Sequence, residues 1–328
     1  MSAPLRIVWL SFAALERSAG KTSSSVASVR YRLLLPSAAL HAQGADSKVV
    51  SFAAGTLMER LRGASAVVLG KLLARDAARE ARDALALVAQ LRGERVAVLA
   101  DFSDDHFADP LRGEAYRALA NAVDAVVAST PELAEILRQH TRVPVSVVTD
   151  PVEGERGEPR VPQQPPYRLL WFGHGSNVDT LRYGLPQLHG QPVSVTLVTS
   201  PGAGAEQAGA RFLPWAARTV FDELRQCDAV FIPSDPNDQR KAVKSPNRFT
   251  EAVWAGRFVL AHPLPAYRAL AEFGWVGEDL GEGLRWLIEN QDQALERIRL
   301  GQAAVTERFA PRVVGEAWKS VIERSLSA

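Results

Sequence analysis

The sequence predicts an α/β protein of two doubly wound domains, each a mostly parallel sheet with helices on both faces. Short apolar runs alternate with stretches of helical period along the whole chain, which is how successive strand–helix–strand units read. One segment breaks the alternation. Glu153–Pro166, EGERGEPRVPQQPP, is rich in Pro, Gly and charge and poor in apolar residues, the composition of a linker. The chain has 328 residues, long for one domain and suited to two of about 150. Domains are therefore expected at 1–152 and 167–328, with 153–166 joining them. Such sheets bind ligands outside the carboxyl ends of their strands, so the site is expected in a cleft where the two units face each other.

The elements follow in order. Leu5–Phe12 reads as the first strand, and Val29–Gln43 as a helix that Gly44 stops. Ser47–Phe52 and Ala66–Leu69 read as strands, and Arg75–Leu91 as an Ala-, Arg- and Leu-rich helix. Val96–Ala100 is a strand ending on Asp101, and Ala125–Ser129 another. Thr130-Pro131 caps a helix over Glu132–Gln139, and Val145–Val148 closes this half. After the linker, Leu169–Phe172, Val193–Val198 and Arg211–Trp215 read as strands and Val220–Gln226 as a helix. Ala229–Pro233 is a strand, Pro246–Ala255 a helix and Phe258–Ala261 a strand, with helices from Gly283 onward.

Composition narrows the class. Hydrophobic residues make up 47% and charged residues 23%, as in ordinary soluble proteins. The 38 basic residues against 37 acidic ones give no bulk charge to recruit nucleic acid. Cys227, the one cysteine, excludes an internal disulfide and reads as a small buried residue rather than a nucleophile. No basic-then-apolar leader opens the sequence, and no apolar run reaches the roughly 20 residues of a membrane span. A cytoplasmic location is expected, and peripheral membrane association stays open.

Several segments carry chemistry. Gly20-Lys21-Thr22 resembles the end of a phosphate loop, but Leu15 stands where its first glycine belongs. A polar loop over Ser18–Ser25 is the expectation. Gly173-His174-Gly175-Ser176-Asn177 follows a strand and precedes a helix start near Val178, with Ser176 or Asn177 as its cap. Glycines let a phosphate approach the backbone, and a helix start favours its charge. Lys244-Ser245-Pro246-Asn247-Arg248 reads as a helix start with Ser245 as cap, pointing at whatever lies beyond Ser234. Lys244 and Arg248 are cations where the helix dipole disfavours them, which a bound diphosphate would resolve. Asp101-Phe102-Ser103-Asp104-Asp105-His106 follows a strand, and Asp105 or His106 is the candidate base. Arg30 and Arg32 at the start of the first helix are candidates for holding an anionic acceptor, against the plainer reading of a solvated face.

Ser245-Pro246-Asn247-Arg248, then Glu251-Ala252, Gly256 and Val259, resembles the donor-binding segment of GT-B glycosyltransferases, of the family 4-like or group 1-like kind. Val126–Leu133 with Val145–Val152, and Arg211–Trp215 with Phe221–Ser234, resemble the segments that flank it in that family. The resemblance implies two facing Rossmann-like domains, a nucleotide-sugar donor and no metal or cofactor. It also implies an acceptor hydroxyl on a glycan, a lipid-linked sugar or a protein, as in polysaccharide biosynthesis. It places the donor ribose on Glu251. Many retaining members carry a second glutamate eight positions earlier, where Val243 stands. Retention or inversion is therefore open, and Lys244 or Arg248 is left to serve the phosphates. His262-Pro263 resembles a dipeptide of CMP-sugar-using transferases. A nucleotide-sugar epimerase or hydrolase on the same fold, or a non-catalytic nucleotide-sugar-binding subunit, is the alternative.

Overall fold

The computed structural model describes residues 5–18, 20–73, 77–202, 210–235 and 237–327. Arg75 and Asp76 of the predicted second helix, and Ala19 of the predicted polar loop, lie outside the described residues. The chain divides into two compact units. One comprises Met1–Pro151, Val243–Ser245 and Ala310–Ala328, the other Val152–Ala242 and Pro246–Phe309. Two pieces expected in 167–328 thus belong with the first unit. Val243 is buried in that unit's core, and Val314, Trp318, Val321 and Ile322 cover one face of its sheet.

The first unit is built on six strands: β1 (Arg6–Ser11), β2 (Asp46–Ser51), β3 (Ala66–Leu69), β4 (Ala97–Phe102), β5 (Ala125–Ala128) and β6 (Val145–Val147). They run parallel in the order β2-β1-β3-β4-β5-β6. Side chains alternate between the faces of a strand. Val8 and Leu10 therefore enter one core while Ile7 and Trp9 enter the other. A strand buried on both faces must read as a continuous apolar run, which is why these were legible. Helix α1 (27–42) contains a π-helical turn over Arg30–Leu34, with the Leu35 N–H reaching back to Arg30 O. Pro36 lies just beyond it, and proline can neither donate to the carbonyl four residues back nor fit against it. The helix ends as predicted near Gly44, whose φ of 92° is left-handed.

The longer helices of this unit are α2 (Ala77–Gly93), α3 (Gly113–Ala122) and α4 (Pro131–His140), with a short helical turn at Leu57–Leu61 and the last helix of the chain, Pro311–Leu326, packed on α1. Thr130 caps α4 by accepting the Leu133 N–H at 3.2 Å, as its sequence signature predicts. Helix α3 escaped the sequence reading. Gly20-Lys21-Thr22 closes a two-stranded hairpin, Glu16–Ser18 with Lys21–Ser23, rather than opening a helix as a phosphate loop would.

The second unit repeats the plan with β7 (Tyr167–Phe172), β8 (Val193–Thr199), β9 (Arg211–Pro214), β10 (Ala229–Ile232), β11 (Phe258–Ala261) and β12 (Trp275–Val276). The order is β9-β8-β7-β10-β11-β12, all parallel. Strand order reverses between β7 and β10, the switch point at which such sheets hold their ligands. Helices α5 (Ala217–Gln226), α6 (Asn247–Trp254), α7 (Leu280–Glu289) and α8 (Gln291–Arg308) cover its faces, and α9 (Pro311–Leu326) ends the chain in the first unit. Among the described residues no helix is long and apolar enough to cross a membrane.

Gly256 turns the chain from α6 into β11 with φ 76°, and a Cβ there would lie 2.2 Å from Glu158 O and 2.5 Å from Glu158 C. Left-handed strain alone costs roughly 1–2 kcal/mol, and the obstacle is backbone that cannot swing away. Gly256→Ala is expected to lower urea-unfolding stability by about 3 kcal/mol or more. A loss below about 1 kcal/mol would mean that this close approach is not a real constraint.

Candidate functional site

In the second unit the strands flanking the switch point end on small or polar residues. β7 gives way to Gly173 and His174, β10 to Pro233-Ser234, and β11 to His262. The Gly173 N–H donates to Val198 O at 3.1 Å. A Cβ on Gly173 would lie 3.8 Å from Arg248 Nη1, so the guanidinium sits close over this backbone. Arg248 comes from the first turn of α6. Its Nη1 is buried without a hydrogen-bond partner among the described residues, and its Nη2 is 3.5 Å from the Tyr267 hydroxyl. Ser234 is 1% exposed and its Oγ likewise has no partner among the described residues. His262 Nδ1 faces both Ser234 O at 2.6 Å and Ser234 N at 3.0 Å. The first contact needs Nδ1 as donor and the second needs it as acceptor, so the tautomer sets which is made, and Nε2 takes the complementary role. That Nε2 and the Thr199 Oγ1 at the end of β8 are also buried without partners among the described residues.

The turn after β7 differs from its prediction. His174, not Ser176 or Asn177, is the cap: its Nδ1 accepts the Ser176 N–H at 3.2 Å, and Gly175–Thr180 forms a 3-10 turn. Asn177 Oδ1 accepts from the Lys241 ammonium on the short helix Gln239–Ala242 after β10. Helix α6 begins at Asn247, with Pro246 preceding it and no side-chain cap. Ser245 does not cap it, because its hydroxyl donates instead to Asp150 Oδ2 at 2.5 Å. Glu251 lies inside α6 and is 3% exposed.

In the first unit, β4 runs through Asp101 to Phe102, one residue beyond its predicted end, because Asp101 and Phe102 pair with Val127 and Ala128 of β5. Asp101 is therefore a buried strand residue. Arg32 lies against it, with Nη2 2.6 Å and Nε 3.1 Å from its carboxylate, while Nη1 donates to Asp150 Oδ1 at 2.8 Å. Burial pulls the Arg32 guanidinium down, but Asp101 and Asp150 more than reverse this and hold it above its ordinary range. Arg30 donates to Ser24 O and Ser25 O and is buried too. The expectation of two guanidinium groups at a binding surface fails for both residues. The strand-borne Asp101 holds Arg32 inside, and the Ser24 and Ser25 carbonyls hold Arg30.

Beyond β4 the loop sorts its own residues. Asp105 Oδ1 accepts the Phe107 N–H at 3.0 Å, a local turn bond. Asp104 lies between two ammonium groups, Lys71 on Oδ2 and Lys244 on Oδ1. Sequence reasoning missed Lys71, and placed Lys244 with the donor phosphates; the only hint was a lysine just past an apolar strand. Burial pushes the Asp104 carboxyl up, yet Lys244 and Lys71 outweigh it and bring it down to about 2. His106 stands edge-on to the Tyr116 ring, 5.1 Å between centroids, and its Nε2 is buried without a partner among the described residues. Burial first, then Lys71, lowers its pKa below the usual histidine value, so it is neutral at pH 7. Cys227, pushed up to about 12 by burial, is no nucleophile. No group of three or more His, Cys, Asp or Glu that could hold a metal occurs among the described residues.

The Asp104 carboxyl titrates at about 2 when folded against 3.8 ordinarily. Between those values the unfolded chain binds the extra proton, so stability rises with pH there. The contribution, about 2 kcal/mol, is complete above about pH 5 and disappears as the pH falls toward 2. Urea unfolding of wild type and Asp104→Asn is therefore expected to show a gap of about 2 kcal/mol near neutrality that closes in acid. A gap that stays constant down to about pH 3 would take the two lysines out of the explanation.

No protein-family model matches this chain, and no curated protein matches its sequence. Solved structures do match. Anabaena Alr3699/HepE, solved in complex with UDP and glucose, superposes with a TM-score of 0.69 at 12% identity, over 97% of this chain and 99% of its own. AviGT4, a glycosyltransferase involved in avilamycin A biosynthesis, gives 0.60 at 12% identity, over 99% and 98%. The spinosyn forosaminyltransferase SpnP gives 0.53 at 13%, over 98% and 100%. With two six-stranded parallel sheets, each reversing its strand order once, and a match along nearly its full length, the chain has the GT-B glycosyltransferase fold.

Proposed function

We propose that this protein is a metal-independent glycosyltransferase that moves a sugar from a nucleotide-sugar donor to an acceptor hydroxyl. The observation that carries the reading is the set of buried polar atoms without partners among the described residues at the carboxyl edge of the second sheet: Arg248 Nη1, Ser234 Oγ and His262 Nε2. A buried polar group left unpaired costs about 1–3 kcal/mol, and three gathered at a switch point suit a polar ligand such as a nucleotide. The UDP and UDP-glucose complexes of HepE support the same donor class.

In this reading Arg248 and the backbone at Gly173–Asn177 take the diphosphate, with Asn247 at the start of α6. Glu251 accepts the ribose hydroxyls, and Ser234 and His262 complete the pocket. A glycosyl donor leaves behind a nucleoside diphosphate, and donors fixed where that charge develops supply the main catalytic stabilisation. A guanidinium already buried beside Gly173 does this without reorganising. Lys244 and Ser245 leave the donor set, since Asp104 and Asp150 hold them. On the acceptor side His106 is the base: neutral at pH 7, with its Nε2 free of protein partners among the described residues. Asp104, ionised down to about pH 2, is too weak a base to take a hydroxyl proton.

Isothermal titration with UDP tests the donor half. Arg248→Ala is expected to weaken binding by about 1.5–3 kcal/mol, the scale of a charged hydrogen bond, with melting temperature nearly unchanged. Unaltered affinity in this variant would remove the arginine from the site. Turnover of UDP-glucose with and without acceptor separates transfer from hydrolysis and from mere binding. His106→Gln should lower transfer by roughly 10²–10⁴ while UDP affinity holds. Because the histidine pKa is lowered, the wild-type rate should stay level through neutral pH and fall only below the ordinary histidine value. A rate that instead rises on acidification would contradict a neutral His106 base.

A further inference from the structure

We propose that the first unit carries a binding site for an oxyanion, a phosphate or carboxylate borne by the acceptor, built from Lys71 and Lys244 around Asp104. The acceptor assignment rests on the glycosyltransferase reading; the anion site itself does not. Three adjacent strands end together here. Lys71 follows β3, Asp104 follows β4 and Ser129 follows β5, with the Ser129 N–H donating to Phe102 O at 3.1 Å. Gly70 allows the first of these ends its position, since a Cβ on it would lie 2.9 Å from Leu10 O. Lys244 is brought to the same place by its neighbour: Val243 is buried in this unit's core and its carbonyl accepts from Thr130 Oγ1 at 3.0 Å.

The charges do not balance. Asp104 gives one oxygen to each ammonium, so one carboxylate faces two cations. Each ammonium has three N–H donors, and each has one partner among the described residues. The neighbouring acids are committed elsewhere. Asp105 accepts from the Phe107 N–H, Asp109 from the Leu111 and Arg112 N–H groups, and Asp101 and Asp150 share Arg32. Lys71 is 17% exposed and Lys244 43%, enough to meet a ligand and, for Lys71, too little for full hydration. Ser129 Oγ, in a residue 1% exposed, is buried without a partner among the described residues and offers a hydroxyl at the same strand ends. An oxyanion with several acceptor oxygens meets both the surplus charge and the spare donors.

The test titrates glucose 6-phosphate, methyl β-glucuronide and neutral methyl β-glucoside into the full-length protein by calorimetry, with and without saturating UDP. Both anionic sugars are expected to bind at least about tenfold tighter than the neutral one, with a preference that shrinks as salt rises. The phosphate and carboxylate arms show which oxyanion is preferred. Lys71→Gln should abolish the preference and Lys71→Arg should keep it; Lys244→Gln, at a more exposed position, gives the same reading if the first variant fails to fold. Equal affinity for all three sugars overturns the proposal, as does a preference that survives in Lys71→Gln and Lys244→Gln. Displacement of the anionic sugars by UDP overturns it too, placing them in the donor site. Failure of UDP to bind at all counts against the glycosyltransferase reading alone, because the titrations without UDP still decide the anion site.

Discussion

Arg32 sits in the interior of the first unit, 1% exposed, with Asp101 and Asp150 against its guanidinium and the Trp318 ring 5.3 Å from its Cζ. Taking such charges out of water costs several kcal/mol per ion unless geometry and further hydrogen bonds repay it. Here they do: Arg32 also donates to Val148 O at 2.5 Å, and Asp150 accepts from Ser245. The network touches α1, β4, the exit of β6, the 243–245 segment and α9. Each of these must be in place before the others are satisfied. Trp9 of β1 closes the arrangement edge-on against Trp318, 4.9 Å between centroids.

That arrangement fixes the carboxyl edge of the first sheet. With Asp101 held inside the strand, the next three residues leave β4 beside the ends of β3 and β5, and Asp104 meets Lys71. With Asp150 held by Arg32, Ser245 is anchored and Lys244 arrives at Asp104. The polar groups able to meet a ligand are thus displaced outward, while the strongest charges serve as internal struts. The second unit has no comparable buried triad among its described residues. At its edge Arg248, Ser234 and His262 keep hydrogen-bonding capacity that no described residue fills, the condition in which a ligand contributes most.

Two groups on the loop after β4 also differ in what they can do to a proton. Asp104 is pinned in its anionic form by two cations, so it serves as a fixed charge. His106, a short step along the same loop, is kept neutral by burial and by Lys71. One lysine therefore lowers the pKa of both neighbours, which keeps the carboxyl charged and the imidazole neutral. A base and a fixed anion are separated by environment rather than by residue type.

The sequence by itself determined the alternation of elements, the places where β3 and β11 lie, the cap at Thr130 and the glycine stop at Gly44. Each depends on residues close in the chain: a continuous apolar run, a Thr-Pro pair, a left-handed glycine. It also singled out the segments holding Gly173, Arg248 and His106. What it could not reach were partners far along the chain. Ser245 looks like a helix cap locally, and only the carboxylate of Asp150, 95 residues earlier, takes its hydroxyl away. Arg30 and Arg32 read locally as anion-holding or solvated groups, but an aspartate 69 residues beyond Arg32 holds its guanidinium inside. Lys71 carries no local signal beyond its place just past an apolar strand. Local backbone preference sets where an element begins and ends; which charges meet is decided by topology, because strand ends remote in sequence become neighbours only when the sheet has formed.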